Sequence, residues 1–479
     1  MKRLTITTLI LCFCSSLFAN PNMNLNVEEG TIYEASAHDG KEFLTIRPLP
    51  VRRIYLTEEK LSLYSNKMPI DEDTGWYIKP INSIEFKFFG TNEENAFLEG
   101  SSGLKLKKGA NFFAFVDGLA SFGDKAMGYY QFKTNVNDDD TKASLHRGYL
   151  KYYFGKFSLQ GGKDNVNWGP GEYGVLLSSN APPYYLVKLQ TEIPLRFLGE
   201  WDFALLHGWL DEDRADVTNP KILALRLEYR PFRIFQLGLT RTTMYGGKGR
   251  PTYKIYQYPK VFWGSEENIP GSKYDNDGYV AYDLSLSLPF IPFFEDFKIY
   301  YQKAGTDVKA PWQKEDKAKL YSEFPFIFKM LAPLHQVGIE ASLKRDVFRI
   351  EYVDIDYQFY VHHVYHTEGY TFKDLSLGYP YGPDSKSIFF KHTHFFDNDL
   401  SIQYKIGWYK QKDRWSKNDV ERYYVYLQAD KKIGKFMISP YVRYDRSKNY
   451  DRDKLPTKMD IVEENKDFYI VGISTSFTF

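Results

Sequence analysis

The sequence is poor in cysteine and has no long apolar run. Its two cysteines, Cys12 and Cys14, both lie near the start of a chain of 479 residues. If that start is removed on export, no disulfide and no thiolate metal site can form. The apolar run 9–14 is much shorter than the roughly twenty residues that a membrane helix needs, and no later stretch approaches that length. Any residence in a membrane must therefore use strands.

The chain also has almost no net charge. Its 62 basic and 61 acidic side chains give a net charge of +1, which argues against a general nucleic-acid binder. Aromatic residues are abundant, at 18% of the chain, with 39 Tyr and 37 Phe. Many aromatic residues in an otherwise polar chain are typical of membrane barrels with aromatic girdles and a water-filled interior.

Residues 1–19 have the pattern of a secretory signal. Lys2 and Arg3 precede the apolar run, and small residues follow it. Export is therefore expected. Cys14 follows Phe13 rather than a small residue, so we do not expect an acylated lipoprotein.

The last strand, 467–479, separates apolar from polar residues with a period of two. One face carries Tyr469, Val471, Ile473, Phe477 and Phe479, and the other carries Gly472, Ser474, Ser476 and Thr478. A terminal aromatic residue on such a strand is typical of bacterial outer-membrane barrels, whose last strand closes against the first. A strand of a soluble sandwich is the alternative for this stretch alone.

From about Pro80 onward, short and long connections alternate strictly, which predicts strands joined in antiparallel pairs. The short turns lie near 123–125, 155, 193–199, 231–232, 289–294, 345–346, 397–399 and 431–434. The long connections are roughly 90–109, 136–143, 164–183, 210–220, 243–277, 305–334, 356–385, 412–419 and 447–466. Counting strands between them predicts an all-β fold, a transmembrane antiparallel β-barrel of about eighteen strands over 80–479. The short turns are expected on the periplasmic side.

Charged residues on the strands indicate a polar interior. Arg226 and Glu228 alternate with leucines, and Lys405 alternates with apolar residues on a later strand. A charge facing mid-bilayer lipid costs about 2–4 kcal/mol, so these side chains are predicted to face the lumen. A polar lumen disfavours the soluble sandwich, which would have an apolar core.

Residues 20–79 do not follow the strand pattern. An extended stretch, 46–55, precedes a short predicted helix that opens at Thr57. Its apolar content favours a periplasmic plug within the lumen over a disordered leader.

Two separated motifs resemble the capsule assembly Wzi family. In the first, 161–184, the Trp-Gly-Pro-Gly turn and the Ser-Asn-Ala-Pro-Pro step force a compact loop that presents Trp168, Lys163 and Asn165. We interpret the remaining motif residues as structural: Gly169, Pro170, Gly171, Asn180, Pro182 and Pro183. The second motif, 365–385, contains Leu-Gly-Tyr-Pro-Tyr-Gly-Pro-Asp-Ser.

The resemblance covers about 80–479 and implies an outer-membrane barrel of eighteen strands that holds capsular polysaccharide at the cell surface. It also implies a small helical bundle at the amino terminus. The present chain departs there, since 20–79 has one predicted short helix and three prolines. It has Tyr184 where the family often has phenylalanine.

Sugar binding suits the residue types in the long connections. Aromatic rings stack on pyranose C–H faces, while amide, carboxylate and guanidinium groups bond hydroxyls. The candidate residues are Lys163, Asn165, Trp168, Arg241, Trp263, Tyr381 and Asp384. The alternative for any aromatic residue among them is the interfacial girdle of a membrane barrel.

The sequence predicts no cofactor, metal or catalytic set. His362, His363 and His366, with His392 and His394 on the following strand, have the chemistry of metal ligands. Their spacing outside a helix does not gather them, so no metal site is expected. We find no serine-histidine-acid arrangement and no phosphate-binding loop.

The predicted function is therefore a non-enzymatic outer-membrane barrel whose external loops bind or anchor capsular or other surface polysaccharide. Its expected surroundings are outer-membrane lipid, and we expect it to act as a monomer. A porin-like or sugar-selective channel is the alternative, because Arg226, Arg230, Lys405 and Arg422 are predicted to face the lumen. An outer-membrane hydrolase is disfavoured by the lack of a catalytic set.

Overall fold

The described chain forms one closed antiparallel barrel. The computed structural model describes residues 23, 30–40, 42–49, 53, 60, 75–93, 96–137, 141–264, 266–267, 269–309, 329–412, 419–448 and 465–479. The barrel strands, numbered β1 to β18 in chain order, are Trp76–Thr91, Gly109–Phe122, Ala126–Asn137, Thr141–Phe154, Phe157–Asp164, Tyr184–Thr191, Glu200–Trp209, Lys221–Phe232, Phe235–Tyr245, Asp277–Ser287, Asp296–Lys309, Lys329–Leu343, Asp346–Ile355, Ser385–Phe396, Leu400–Lys412, Asp419–Ile433, Phe436–Lys448 and Lys466–Thr478. The predicted fold and strand number are confirmed.

The first and last barrel strands close the cylinder. Strand β1 pairs with β2 on one side and with β18 on the other, in a register that runs from Ser83↔Thr478 to Thr91↔Ile470. The amide of Phe479 donates to the carbonyl of Asn82 at 3.0 Å. Closure removes both sheet edges, so every strand has two neighbours. The terminal aromatic residue therefore lies at the seam, as predicted.

The alternation of faces is also as predicted. Arg226 and Glu228 on β8 are buried inside the barrel, as is Lys405 on β15. On β18, Val471 and Ile473 are exposed on the outer face. Apolar side chains thus face outward, where lipid is their natural solvent, and charges face inward.

Two of the strand boundaries that differ from the prediction lie at prolines. Strand β1 begins at Trp76 rather than near Pro80, because a register shift between Lys79 and Ser83 accommodates the proline within the strand. Similarly, 231–232 was predicted as a turn but lies within β8, with a register shift after Tyr229. Proline at a strand irregularity does not end the strand.

Helices are few in the described part of the chain. Helix α1 is Gly30–Asp39, helix α2 is Tyr258–Trp263, and a 3₁₀ turn at Ile255–Gln257 precedes α2. The seven short strands outside the barrel count are Ile46–Arg47, Ala96–Phe97, Lys105–Leu106, Asn167–Trp168, Leu195–Arg196, Thr371–Phe372 and Leu375–Ser376. Among the described residues, no helix is long and apolar enough to cross a membrane.

Some expectations fall outside the described residues. These are the signal at 1–19 and, except for Lys60, the helix predicted to open at Thr57. Most of the predicted long connections 305–334, 412–419 and 447–466 also lie there. Helix α1 was not predicted, because its sequence, GTIYEASAHD, has no acidic residue in its first turn and no regular apolar stripe.

Candidate functional site

The loop that carries the first motif folds into the barrel. We call residues 165–183 the inner loop. Its short strand Asn167–Trp168 pairs with Ile46–Arg47, and the amide of Gly169 donates to the carbonyl of Thr45 at 2.9 Å. Trp168 is 1% exposed. The expectation that this loop presents Trp168 outward is therefore corrected, because the loop contacts a segment inside the lumen.

Local geometry explains this inward path. Gly169 has a φ of 130°, which favours glycine. A Cβ at Gly171 would lie 2.0 Å from Nε2 of Gln336 on the barrel wall. The side chain of Asn167 closes the turn, because its Oδ1 accepts from the amide of Gly174 at 2.6 Å. The Trp-Gly-Pro-Gly motif thus fits the backbone closely against the wall.

Glu172, at the centre of the inner loop, is held by charged wall residues. Its carboxylate lies 3.0 Å from Nζ of Lys391 and 3.1 Å from Nζ of Lys405. Its amide donates to Glu351 at 2.9 Å. Burial alone would raise the pKa of Glu172, but the two lysines outweigh it and hold the pKa below the ordinary range. The loop is therefore fixed in the lumen by an ionised carboxylate.

The second motif packs directly on the first. We call residues 356–384 the return loop. The amide of Ser178 donates to the carbonyl of Leu377 at 2.7 Å, and Oγ of Ser178 donates to the carbonyl of Gly378 at 2.5 Å. Nδ2 of Asn180 donates to the carbonyl of Ser376 at 3.3 Å. The two motifs, far apart in sequence, are thus the two halves of one interior contact.

An aromatic core surrounds this contact. The buried aromatic residues of the two loops and the adjoining wall belong to one cluster: Trp168, Tyr173, Tyr184, Tyr279, Phe359, Tyr360, Tyr365, Tyr370, Phe372, Tyr379, Tyr381, Phe389, Tyr409 and Tyr424. Tyr381 stacks on Tyr409 with ring centroids 4.0 Å apart. Burying so many rings releases a large apolar area from water, so this end of the lumen is filled by an apolar core.

The amino-terminal segment, residues 30–49, approaches from the other end and is held by polar contacts. Nδ1 of His38 lies 3.0 Å from Asp296, at the start of β11, and Nζ of Lys298 donates to the carbonyls of Ala37 and Glu42 at 2.7 and 2.8 Å. Arg226 donates to Oγ1 of Thr45 at 3.0 Å. A cavity of about 40 Å³ remains between this segment and the wall. It is large enough to hold water.

The cationic residues predicted to line a channel are all paired. The pairs are Arg226 with Asp283 at 2.9 Å, Arg230 with Asp202 at 2.7 Å, Lys405 with Glu172 at 3.1 Å, and Arg422 with Glu93 at 2.8 Å. Glu99, in the same connection as Glu93, accepts from Arg443 at 3.0 Å. Burial would raise the pKa of Glu99, but Arg443 lowers it to about 2. Fixed carboxylates thus neutralise the charges that would attract a mobile ion.

The seven candidate sugar-binding residues do not form one site. Asn165 and Tyr381 lie with Trp168 in the interior, where Nδ2 of Asn165 donates to Oγ of Ser102 at 2.6 Å. Lys163 and Asp384 are partly exposed at the long-connection end. The structure therefore separates buried candidates from rim candidates.

Arg241 and Trp263 form a further rim group. Nε of Arg241 donates to the carbonyl of Phe262 at 3.0 Å, and its guanidinium binds Glu267. These contacts hold α2, on which Trp263 is 78% exposed. Among the candidates, Trp263 is the aromatic residue that offers an open face, and Arg241 positions it.

Sequence reasoning missed a group of lysines at the same end of the barrel. Lys133 is close enough to Lys142, Lys163 and Lys373 for each to repel it, and Lys163 is also repelled by Lys373. Nζ of Lys163 donates to the carbonyl of Leu145 at 2.7 Å. Within the described residues, none of the four forms an ion pair with a carboxylate. The group was not apparent in the sequence because its members come from three strands, β3, β4 and β5, and from the return loop.

The structure places four of these histidines in two clusters, although their spacing in the sequence had not predicted this. His362 and His363 meet Asp275, and His392 and His394 meet Asp346. His366 is exposed and belongs to neither cluster. The carboxylate in each cluster comes from a different part of the chain, which spacing within one motif cannot reveal.

Comparisons with known proteins agree with the fold. The profile of the family described as capsule assembly protein Wzi matches residues 89–459. A solved structure, described as Wzi, an outer membrane protein involved in group 1 capsule assembly in Escherichia coli and a carbohydrate-binding β-barrel, aligns with a TM-score of 0.68 at 15% identity. That alignment covers 96% of this chain and 100% of the other.

A curated relative matches over a smaller region. It is an uncharacterized 55.8 kDa protein in the cps region of Klebsiella pneumoniae, 29% identical over 118 residues. The matched region spans 23% of this chain and 22% of that relative.

Proposed function

Because the chain belongs to the family of capsule assembly protein Wzi, we propose that it is an outer-membrane barrel that binds or anchors capsular or other surface polysaccharide through its long connections. The Escherichia coli protein with the same fold is described as carbohydrate-binding and as involved in capsule assembly. On this proposal the short turns face the periplasm, and residues 1–19 direct export. Residues 20–79 act as a plug from the periplasmic side.

The filled lumen is the observation that favours an anchor over a channel. The inner loop and the return loop build an aromatic core across one end, and the amino-terminal segment occupies the other. The cationic wall residues are paired with fixed carboxylates. An ion or sugar passing through would have to displace both the core and these pairs.

The lysine group supports an acidic polysaccharide as the ligand. Ammonium groups that repel one another, as Lys133 and its three lysine neighbours do, gain free energy when a polyanion binds beside them. Such an attraction is screened by salt, so binding should weaken as ionic strength rises. Trp263 supplies an aromatic face for a sugar ring.

Binding of purified protein to alginate, a polyuronic acid, tests this surface. We expect Lys163→Gln combined with Lys373→Gln to weaken alginate binding about tenfold at low salt, since each lost contact removes about 0.7 kcal/mol. Lys248→Gln, on another exposed connection, is the matched control and should bind as the wild type does. Neutral dextran should bind equally to all three proteins. Equal alginate binding by the double variant would contradict the proposed surface.

Deletion of the gene tests the cellular role. Loss of an anchor should move surface glycan from the cells into the medium without changing the total amount. Restoring the wild-type gene should return the glycan to the cells. Cell-bound glycan that is unchanged after deletion would contradict the proposal.

The alternative function is a porin-like or sugar-selective channel. Single-channel recording in planar bilayers separates the two, since a filled barrel should be silent. Steady conductance from the wild-type protein would favour the channel. We also propose that the protein acts without catalysis, which measurable turnover of glycan or lipid would contradict.

A further inference from the structure

One His-Asp-His cluster lies on the outer face of the barrel, next to the short turns. Asp346 is the first residue of β13, and His392 and His394 are on β14. In the register of these strands, Asp346 is paired with His394, and His392 is paired with Phe348. The interleaved residues Val347 and Thr393 are buried in the interior, so the three polar side chains share the outward face.

The three side chains converge on one point. Nε2 of His392 lies 2.6 Å from Oδ1 of Asp346, and Nδ1 of His394 lies 2.7 Å from the same oxygen. All three ligand atoms are within 4.8 Å of one another. The ring of His392 stacks on Phe348 at 4.4 Å and 6°. Two rigid strands and an aromatic neighbour therefore fix the ligand directions before any ion arrives.

We propose that Asp346, His392 and His394 bind a divalent transition-metal ion, with Zn²⁺ as the preferred ion. Two imidazole nitrogens and one carboxylate oxygen are a common zinc ligand set, and water completes the tetrahedron. Bonds of about 2.1 Å separate tetrahedral ligand atoms by about 3.4 Å, so each ring need retreat by less than about 1 Å from the carboxylate. Small side-chain rotations supply that movement.

The tautomer of His392 is free to suit the metal. Nδ1 of His392 has no hydrogen-bond partner in the part of the chain that the structure describes. Nothing there forces the ring proton onto Nε2 other than the carboxylate itself. When an ion takes the place of the hydrogen bond to Asp346, the single proton of the neutral His392 ring moves to Nδ1, and the ring coordinates through Nε2.

The second cluster provides an internal contrast. Nε2 of His363 lies 2.9 Å from Asp275, and Nε2 of His362 lies 3.7 Å from it. However, Nδ1 of His362 accepts the amide of Val364 at 3.1 Å, so the proton of the neutral ring is on Nε2, the atom that faces the carboxylate. Metal binding at Nε2 would require breaking that backbone hydrogen bond. We therefore expect this cluster to bind zinc far more weakly.

Metal binding at the strand site would join β13 to β14 close to the turns 344–345 and 397–399. Because an ion that binds only the folded state stabilises it, the unfolding temperature should rise with Zn²⁺ concentration. The site is separate from the long-connection end, so this inference does not depend on the proposed polysaccharide binding.

Metal titration of the tag-free full-length protein in detergent micelles tests the inference. We expect one equivalent of Co²⁺ to give the visible absorption bands of a tetrahedral site, and Zn²⁺ to displace it. His392→Gln, His394→Gln and Asp346→Asn should each weaken binding by about tenfold or more. His363→Gln is the matched control and should leave the affinity unchanged. Faster migration of unheated samples in gel electrophoresis verifies that each variant forms its barrel.

Three results would overturn the inference. The first is that the wild-type protein shows no saturable metal binding. This result can be interpreted without any variant. The second is wild-type affinity in the folded His392→Gln and His394→Gln variants. The third is loss of binding in His363→Gln, which would assign the ion to the other cluster.

Discussion

The two segments that fill the lumen are held there by different physical interactions. The inner and return loops bury an aromatic core in which Trp168, Tyr360 and Tyr379 are almost fully inaccessible. The amino-terminal segment depends on hydrogen bonds and charges, such as His38 with Asp296 and Thr45 with Arg226. Apolar packing is insensitive to pH, whereas the polar contacts depend on protonation and on every partner being present. The aromatic core should therefore respond little to pH, and the ion pairs of Glu172 that add to it persist because its pKa lies below the ordinary range, whereas the amino-terminal segment can respond to pH.

The largest effect should come from the apolar end. Trp168→Ala removes a fully buried indole and leaves a cavity, so the free energy of unfolding should fall by about 3–5 kcal/mol. Trp263→Ala is the matched control, because Trp263 is exposed and its loss should cost about 0.5 kcal/mol or less. Chemical denaturation in micelles measures both. An equal decrease in the free energy of unfolding in the two variants would contradict the assignment of Trp168 to the interior and Trp263 to the rim.

A smaller effect is expected at the polar end. The hydroxyl of Thr45 accepts from Arg226 at 3.0 Å and from Gln236 at 2.8 Å, and it donates to Glu228. Thr45→Val leaves these buried groups short of partners, which should cost about 1–3 kcal/mol. Hydrogen exchange should then speed up in residues 30–49 but not in the inner loop. Thr45→Ser keeps the hydroxyl, so hydrogen exchange in residues 30–49 should match that of the wild type. Faster exchange in the serine variant would show that the hydroxyl is not what holds this segment.

The smallest effect should be a pH response of the amino-terminal segment alone. Burial, with the charge of Lys298, lowers the pKa of His38 below its ordinary value of 6.5. The unfolded state thus binds the proton more tightly, so the stabilisation is complete above pH 6.5 and declines as the pH falls below it.

Protease protection of residues 30–49 should accordingly decrease on acidification, with the inner loop still protected. His38→Gln removes the titrating group and should flatten the response. A pH response that persists in that variant would assign it to another group.

Period-two patterns carried the barrel prediction because they depend on local sequence alone. The alternation of Arg226 and Glu228 with leucines identified the inner face, and the spacing of turns gave the strand number. Proline misled the prediction at Pro80 and Pro231, where irregular register keeps the strand intact.

The path of the loops could not be predicted in the same way. Trp168 meets Ile46, and Ser178 meets Leu377, so these contacts join residues far apart in the chain. The local sequence around a loop tryptophan does not show whether its side chain faces solvent or the lumen. The same limitation applies to Asp346, whose position beside His394 follows from a strand register set across the whole return loop.

The inner loop also has a mechanical consequence. Glu172 is tied to Lys391 on β14, Lys405 on β15 and Glu351 on β13, while Ile46–Arg47 and the return loop hold its flanks. A pulling force on the long connections is therefore distributed over several barrel strands and does not act on a single hairpin. If the protein anchors a polysaccharide as proposed, these contacts would help it resist the drag of a long polymer without leaving the membrane.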